Sequence, residues 1–317
     1  MDVIKSTAGR HFILIVLWLM VARAGCAQSI PQPGLPTTDR EGYFNSRGVR
    51  IRYLVNGSQG AECVVFVNGF TEGLEVWSDV VAAPPLKRYR LIRFDTRGLG
   101  LSDKPHGAKE YGMEMVNDVT RLLDHLQIKK AHIVGYSMGA WIVLKLVTSH
   151  PERVITATLG GSAGLHNAQV ERNLIIADAI EGKDISAAVR KLVLPDGAGI
   201  SDQDAKETER AFIDLGKEYS NQFDPQAIAS MMRGFAELVV ADRDLKRNTV
   251  PVLALYSNED DAGRPLAGQI AALRNRMPNV VLMQIKDANH GNARSKPQFV
   301  ESLVEFLARH SPSGSEK

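Results

Sequence analysis

Cysteine is scarce in the 317-residue chain: there are two, Cys26 and Cys63, too few for a disulfide framework. Charge of one sign never accumulates. The formal net charge is +2 and no block of like charges occurs, so the sequence offers no electrostatic docking field for nucleic acid or an acidic polymer. No group of Cys and His has metal-ligand spacing, and the pair His125 and His132 is too ordinary to suggest one. The glycine-rich turns lack the lysine of a phosphate-binding loop, and Gly98-Leu99-Gly100 is not followed by a helix opening on a third glycine, so a nucleotide is not expected. Internal repeats and interior low-complexity tracts are also missing. What is present is ordinary: 44% hydrophobic residues, 23% charged, 27 Gly and 14 Pro. That excludes disorder, collagen and coiled coil as readings of the whole chain.

The first segment reads as a leader. Lys5 and Arg10 precede an uncharged apolar stretch at 12–22, followed by Ala24-Gly25-Cys26-Ala27 and a proline-rich run from Ile30 to Gly34. A positive flank, a short apolar centre and small residues are the pattern of a secretory signal peptide. A membrane-spanning helix needs about 20 apolar residues, more than this stretch supplies. Cleavage after Ala24 or after Ala27 is expected. A third option is lipid attachment at Cys26, because Ala24-Gly25-Cys26 is similar to a bacterial lipoprotein box. Removal of residues 1–27 leaves 35 basic and 35 acidic residues. The expected product is an exported, neutral protein, secreted or periplasmic.

Beyond a linker at 28–40, the pattern alternates strand and helix. Two strands meet near Arg47-Gly48, and the second, Val49-Arg50-Ile51-Arg52-Tyr53-Leu54-Val55, alternates with period two. Short apolar runs at 63–67, 91–94, 132–134, 154–159, 252–256 and 280–283 read as strands covered on both faces. Cys63, opening the first of these runs, fits a buried small hydrophobe. Helical spacing occupies 113–126, 140–147, 266–276 and 297–309. Such alternation predicts an α/β fold with a mostly parallel central sheet and helices on both faces. Between 163 and 248 the character changes to helical patterns at 170–180, 185–192, 204–215 and 225–240. The expectation is a core of 41–162 and 249–310, a helical cap at 163–248 and a tail at 311–317.

The chemistry is expected at Gly135-Tyr136-Ser137-Met138-Gly139, between a strand and an apolar helix. Two glycines let a strand turn abruptly into a helix, which lifts the serine hydroxyl clear of the backbone. The helix that starts there aims its N–H groups at the same spot, where an anionic intermediate would be stabilised. The same pattern recurs at Gly160-Gly161-Ser162-Ala163-Gly164, but this copy runs into polar sequence and reads as a glycine-rich loop. A hydroxyl needs a base, and histidine suits neutral pH. Of eight His, His290 follows a late strand in the loop Asp287-Ala288-Asn289-His290-Gly291, where catalytic loops of open sheets gather. A carboxylate is needed to orient the base. Strand 252–256 ends in Ser257-Asn258-Glu259-Asp260-Asp261; Asp260 is the choice, with Asp261 and Glu259 behind it.

From about 43 to 309, apart from the insert, the chain resembles the α/β-hydrolase family. Four segments carry the likeness: Phe66-Val67-Asn68-Gly69-Phe70, Asp95-Thr96-Arg97-Gly98-Leu99-Gly100-Leu101-Ser102, the Ser137 turn, and the loops of Asp260 and His290. The resemblance implies a Ser137–Asp260–His290 triad in the chain order of that family. It also implies an oxyanion hole from the backbone N–H groups of Phe70 and Met138, and no catalysis by the Asp95–Ser102 segment. Asn68 stands where the family usually has His. Epoxide hydrolases and haloalkane dehalogenases of the family place Asp at the turn, so Ser137 directs the reading to acyl chemistry on a small-molecule substrate: esters, lactones, thioesters or C–C cleavage of activated diketones. The Ser137 turn also resembles the cofactor-free perhydrolases and the Asp95–Ser102 stretch the enol-lactone hydrolases. No cofactor and no metal is expected. Asn68, Tyr136, Ser162 and Met231 are candidates to line the pocket; Met231, Met232 and Phe235 at helical spacing could equally pack against the core, as could Trp77 and Trp141. A non-catalytic binding protein on the same scaffold is the competing class.

Overall fold

The computed structural model describes residues 40–193, 202–257, 266–277 and 279–311. The leader at 1–27, Cys26, the carboxylates Glu259, Asp260 and Asp261, and the tail from 312 lie outside the described residues.

One eight-stranded sheet runs in the order β1-β2-β4-β3-β5-β6-β7-β8. Its strands are β1 (Arg40–Ser46), β2 (Val49–Asn56), β3 (Cys63–Val67), β4 (Arg90–Phe94), β5 (Ala131–Tyr136), β6 (Val154–Gly160), β7 (Val252–Ser257) and β8 (Val280–Ile285). β1 and β2 form an antiparallel hairpin and β2 pairs antiparallel with β4; the pairs from β4 to β8 are parallel. Arg47 and Gly48 both take positive φ at the hairpin turn, 53° and 89°, the handedness that matches strand twist. Gly48 N–H closes it on Asn45 Oδ1 at 2.6 Å.

All five residues of β3 and all six of β5 are buried, because helices cover both faces. On one face Val65, Val67 and Ile133 join the larger apolar core with Met115, Val119 and Ile142. On the other, Val64, Phe66 and Val134 pack with Trp77, Phe299 and Leu303. The main helices are α1 (Ser78–Ala82), α2 (Met113–His125), α3 (Met138–Ser149), α4 (Asn167–Ile180), α5 (Ser186–Val193), α6 (Asp202–Gln222), α7 (Pro225–Gly234), α8 (Asp242–Lys246), α9 (Leu266–Arg276) and α10 (Pro297–Arg309).

Two departures from the sequence-based expectation have visible causes. The helix expected to stop at Leu215 runs on as α6 to Gln222. Gly216 lets α6 press on α4: a Cβ built on it would lie 2.9 Å from the Ala179 carbonyl carbon. The helix expected over 225–240 ends at Gly234 and gives way to a tighter turn, Phe235–Leu238. Among the described residues, no helix is long and apolar enough to cross a membrane.

The chain order makes a crevice. β3 is followed by β4 on one side and β5 on the other, so the connections leaving the carboxyl ends of β3 and β5 diverge. Phe70 follows β3 and Ser137 follows β5. The candidate site is built at that point.

Candidate active site

Ser137 has φ 55° and ψ −113°, a conformation that costs a non-glycine residue about 1–3 kcal/mol and persists only where its surroundings enforce it. The enforcement is steric and explains both glycines of the motif. A Cβ on Gly135 would strike the Gly139 carbonyl, and one on Gly139 would strike the Val67 carbonyl. Strand, turn and helix therefore approach as closely as backbone allows. Ser137 N–H donates to Gly160 O at 2.8 Å, which ties the turn to β6. Met138 opens α3, so its N–H belongs to the first turn, where N–H groups have no partner inside the helix.

His290 Nε2 and Ser137 Oγ are 3.1 Å apart, within reach for proton transfer from the hydroxyl to the imidazole. This meeting is not a local consequence of chain order. β8 lies three strands from β5, about 14 Å at ordinary strand spacing, so the loop after β8 must run back across the sheet end. It is anchored where it arrives. Tyr136 Oη donates to His290 O at 2.5 Å and the two rings lie 5.3 Å apart. Gly161, at φ 64°, leaves room for the imidazole: a Cβ there would lie 3.1 Å from both His290 Nδ1 and Cε1.

The loop after β3 supplies the other wall. Asn68 is fully buried. Its Oδ1 accepts from Thr96 N at 3.2 Å and Thr96 Oγ1 at 2.7 Å, and its Nδ2 donates to Gly69 O at 3.1 Å and Glu72 O at 2.5 Å. The amide thus braces the loop from behind, which corrects its expected place in the pocket lining. Its buried polar atoms are satisfied by that role. Phe70 is half-buried, with Tyr219 of α6 and Phe235 packed edge-on against its ring at 5.6 and 5.9 Å.

Ser162 Oγ accepts from Trp141 Nε1 at 2.8 Å and from Gly164 N at 3.3 Å, so the second glycine–serine motif serves as a bracket for a tryptophan. Met231 is fully buried; a Cβ on Gly98 would lie 2.6 Å from its Cε, and its contact there is packing, not an open wall. Trp77 is fully buried, and Trp141 is half-buried. Asp260 lies outside the described residues. His132, near the start of β5, is buried at the opposite end of the strand from Ser137; its Nδ1 meets Thr156 Oγ1 at 2.7 Å, and burial holds its pKa below the ordinary value.

The Asp95–Ser102 segment is a hub of hydrogen bonds. Buried Asp95 accepts from Leu74 N at 2.7 Å and Leu101 N at 2.8 Å. Arg97 forks onto Asp118 of α2 through Nε and Nη2, both at 2.7 Å. Sequence reasoning missed Glu72 and Arg294, which pair beside the site; neither belongs to a motif with known spacing. Among the described residues no group of three or more His, Cys, Asp or Glu could hold a metal ion.

A family model for the alpha/beta hydrolase fold matches residues 62–179, which span the loop after β3, the Asp95–Ser102 hub and the serine turn. The chain has the α/β-hydrolase fold. The chain is 26% identical over 271 residues to 3-oxoadipate enol-lactonase 2 of Acinetobacter baylyi, a match covering 84% of this chain and 96% of the relative. Two further matches are shorter, spanning 48% and 32% of those relatives' lengths. The second of these is the dihydrolipoyllysine-residue acetyltransferase component of an acetoin cleaving system of Cupriavidus necator, 34% identical over 122 residues, or 38% of this chain. Among solved structures, the enol-lactonase of Burkholderia xenovorans superposes with a TM-score of 0.63 at 24% identity, covering 84% of this chain and all of that one. At that identity the superposition shows a shared fold.

Proposed function

We propose that this α/β-hydrolase is a serine hydrolase that cleaves a carboxylic ester or related acyl bond of a small molecule through an acyl-enzyme. The observation that carries the reading is the 3.1 Å pair of Ser137 Oγ and His290 Nε2 on a turn whose two glycines leave no room for side chains. In this reading His290 Nε2 takes the hydroxyl proton as Ser137 Oγ bonds to the substrate carbonyl carbon. The carbonyl oxygen gains the negative charge, and the N–H groups of Phe70 and Met138 receive it. Collapse of the intermediate expels the alcohol, which takes the proton from His290. Water, deprotonated by the same imidazole, then releases the acid and restores Ser137. Asp260 is proposed as the carboxylate that orients His290, and residues 1–27 as an export signal.

A second reading, lactone hydrolysis, uses the same steps. It draws on the likeness to an enol-lactonase along 84% of this chain. A panel of nitrophenyl esters of rising acyl length, lactones and diketones separates the two.

The central test is Ser137→Ala. It is expected to abolish hydrolysis of short nitrophenyl esters and labelling by a fluorophosphonate, while the melting temperature stays within a few degrees of the wild type. Retained turnover in Ser137→Ala, or a wild type that the probe leaves unlabelled at Ser137, would reject the assignment.

A further inference from the structure

Two charged residues beside the site do something that the proton-transfer scheme does not use. Glu72 lies in the loop after β3, two residues beyond Phe70. Arg294 lies four residues beyond His290, 222 positions away in the chain. Their side chains are 9% and 8% exposed. Arg294 Nη1 donates to Glu72 Oε2 and Nη2 to Oε1, each at 3.1 Å, a two-pronged pairing that fixes relative orientation as well as distance.

Each partner is held again on its own side. Glu72 Oε2 accepts the Gly69 N–H at 2.9 Å, which sets the Asn68–Gly69 peptide, one unit before the peptide that carries the Phe70 N–H. The Arg294 guanidinium lies 4.7 Å from the Tyr136 ring centroid and 5.2 Å from that of Trp77. Tyr136 in turn precedes Ser137 and donates its hydroxyl to the His290 carbonyl. One buried ion pair therefore joins the strand-end loop that carries Phe70 to the loop that carries His290.

Burial makes such a pair a costly way to gain stability, because two charges leave water and an apolar pair of similar volume often does as well. What an apolar pair lacks is direction and an acceptor for the Gly69 N–H. We propose that Glu72 and Arg294 are positioning residues that set the Phe70 N–H and the His290 imidazole at a fixed separation around Ser137. The proposal rests on the serine-hydrolase reading.

Glu72→Gln keeps an oxygen for the Gly69 N–H and removes the charge. Arg294→Met keeps an apolar stem between the rings and removes the fork. Rates per folded enzyme are expected to fall about 10- to 100-fold in each, the scale on which small misplacements act. KM for nitrophenyl acetate should stay within about twofold, as for groups that act in the transition state. The double variant should be no slower than the slower single, since the two act as one unit. Arg294→Lys, with the charge but not the fork, should recover only part of the rate, and it takes the place of Arg294→Met if that variant does not fold. Fluorophosphonate labelling of Ser137 gives a second readout. If the wild type is labelled and the variants match its rate while only melting temperatures fall, the pair is a structural staple and the proposal is overturned. If the wild type itself is not labelled, the hydrolase reading fails and this proposal falls with it.

Discussion

Trp141 shows how a side chain decides between two serines with the same flanking pattern. An indole N–H can only donate, so the oxygen it meets must accept, and Ser162 Oγ does so at 2.8 Å while also taking the Gly164 N–H at 3.3 Å. Ser137 Oγ faces an imidazole nitrogen instead. The same two-glycine motif thus holds a half-buried ring in one place and meets a base in the other. Ser162→Ala should leave the indole N–H without its acceptor and cost about 1–2 kcal/mol of stability in urea denaturation. Mass spectrometry of the fluorophosphonate-treated variant should still find the adduct on Ser137; an adduct that vanishes with Ser162 would move the nucleophile there.

At the scale of elements, α2 carries a pH signature. Glu114 in its first turn accepts from Arg121 Nη1 at 2.8 Å and Nη2 at 3.2 Å, and from Asn117 Nδ2 at 2.8 Å. The Arg121 hydrogen bonds hold its pKa at about 2, below the ordinary 4.5. A carboxylate whose folded-state pKa is depressed stabilises the fold above its unfolded pKa and loses that contribution as pH falls toward the folded value. Arg121→Gln should therefore cost on the order of 1 kcal/mol at pH 7, the upper range for a partly exposed pair. The difference should shrink between pH 4.5 and pH 2, which thermal melts of both proteins at pH 7 and pH 3 would read. An unchanged difference would mean that Arg121 acts through its stem or through Ser46, which it also contacts at 3.0 Å.

The elements were the most legible part of the chain. Buried strands such as β3 announce themselves as short apolar runs, and the serine turn announces itself because close backbone approach admits only glycine at 135 and 139. Legibility ends where a residue's work depends on distant partners. Asn68 could be seen beside the turn, but its bracing role needs Thr96, 28 residues on. Glu72 and Arg294 look like two surface charges until the fold buries them together. The run of α6 beyond Leu215 likewise depends on a close contact with α4 at Gly216.

Across the whole molecule, the helices between β6 and β7 meet the sheet domain at the very loop proposed to hold the oxyanion. Phe235 is 1% exposed and lies edge-on to both Phe70, at 5.9 Å, and Trp141, at 5.4 Å. Tyr219 closes on Phe70 from another direction at 5.6 Å. Such edge-to-face pairs add about 0.5–1.5 kcal/mol each beyond burial, and they fix where the Phe70 ring, and so its backbone, sits. Phe235→Ala is expected to cost about 3–5 kcal/mol as a buried ring lost, and to slow fluorophosphonate labelling of Ser137 severalfold per folded molecule. Phe212→Ala supplies the contrast: this ring is equally buried, two turns back along α6 from Tyr219, and it should lower stability by a similar amount with the labelling rate little changed. Equal labelling rates in the two variants would mean that the helical layer covers the sheet end without tuning the loop beneath it.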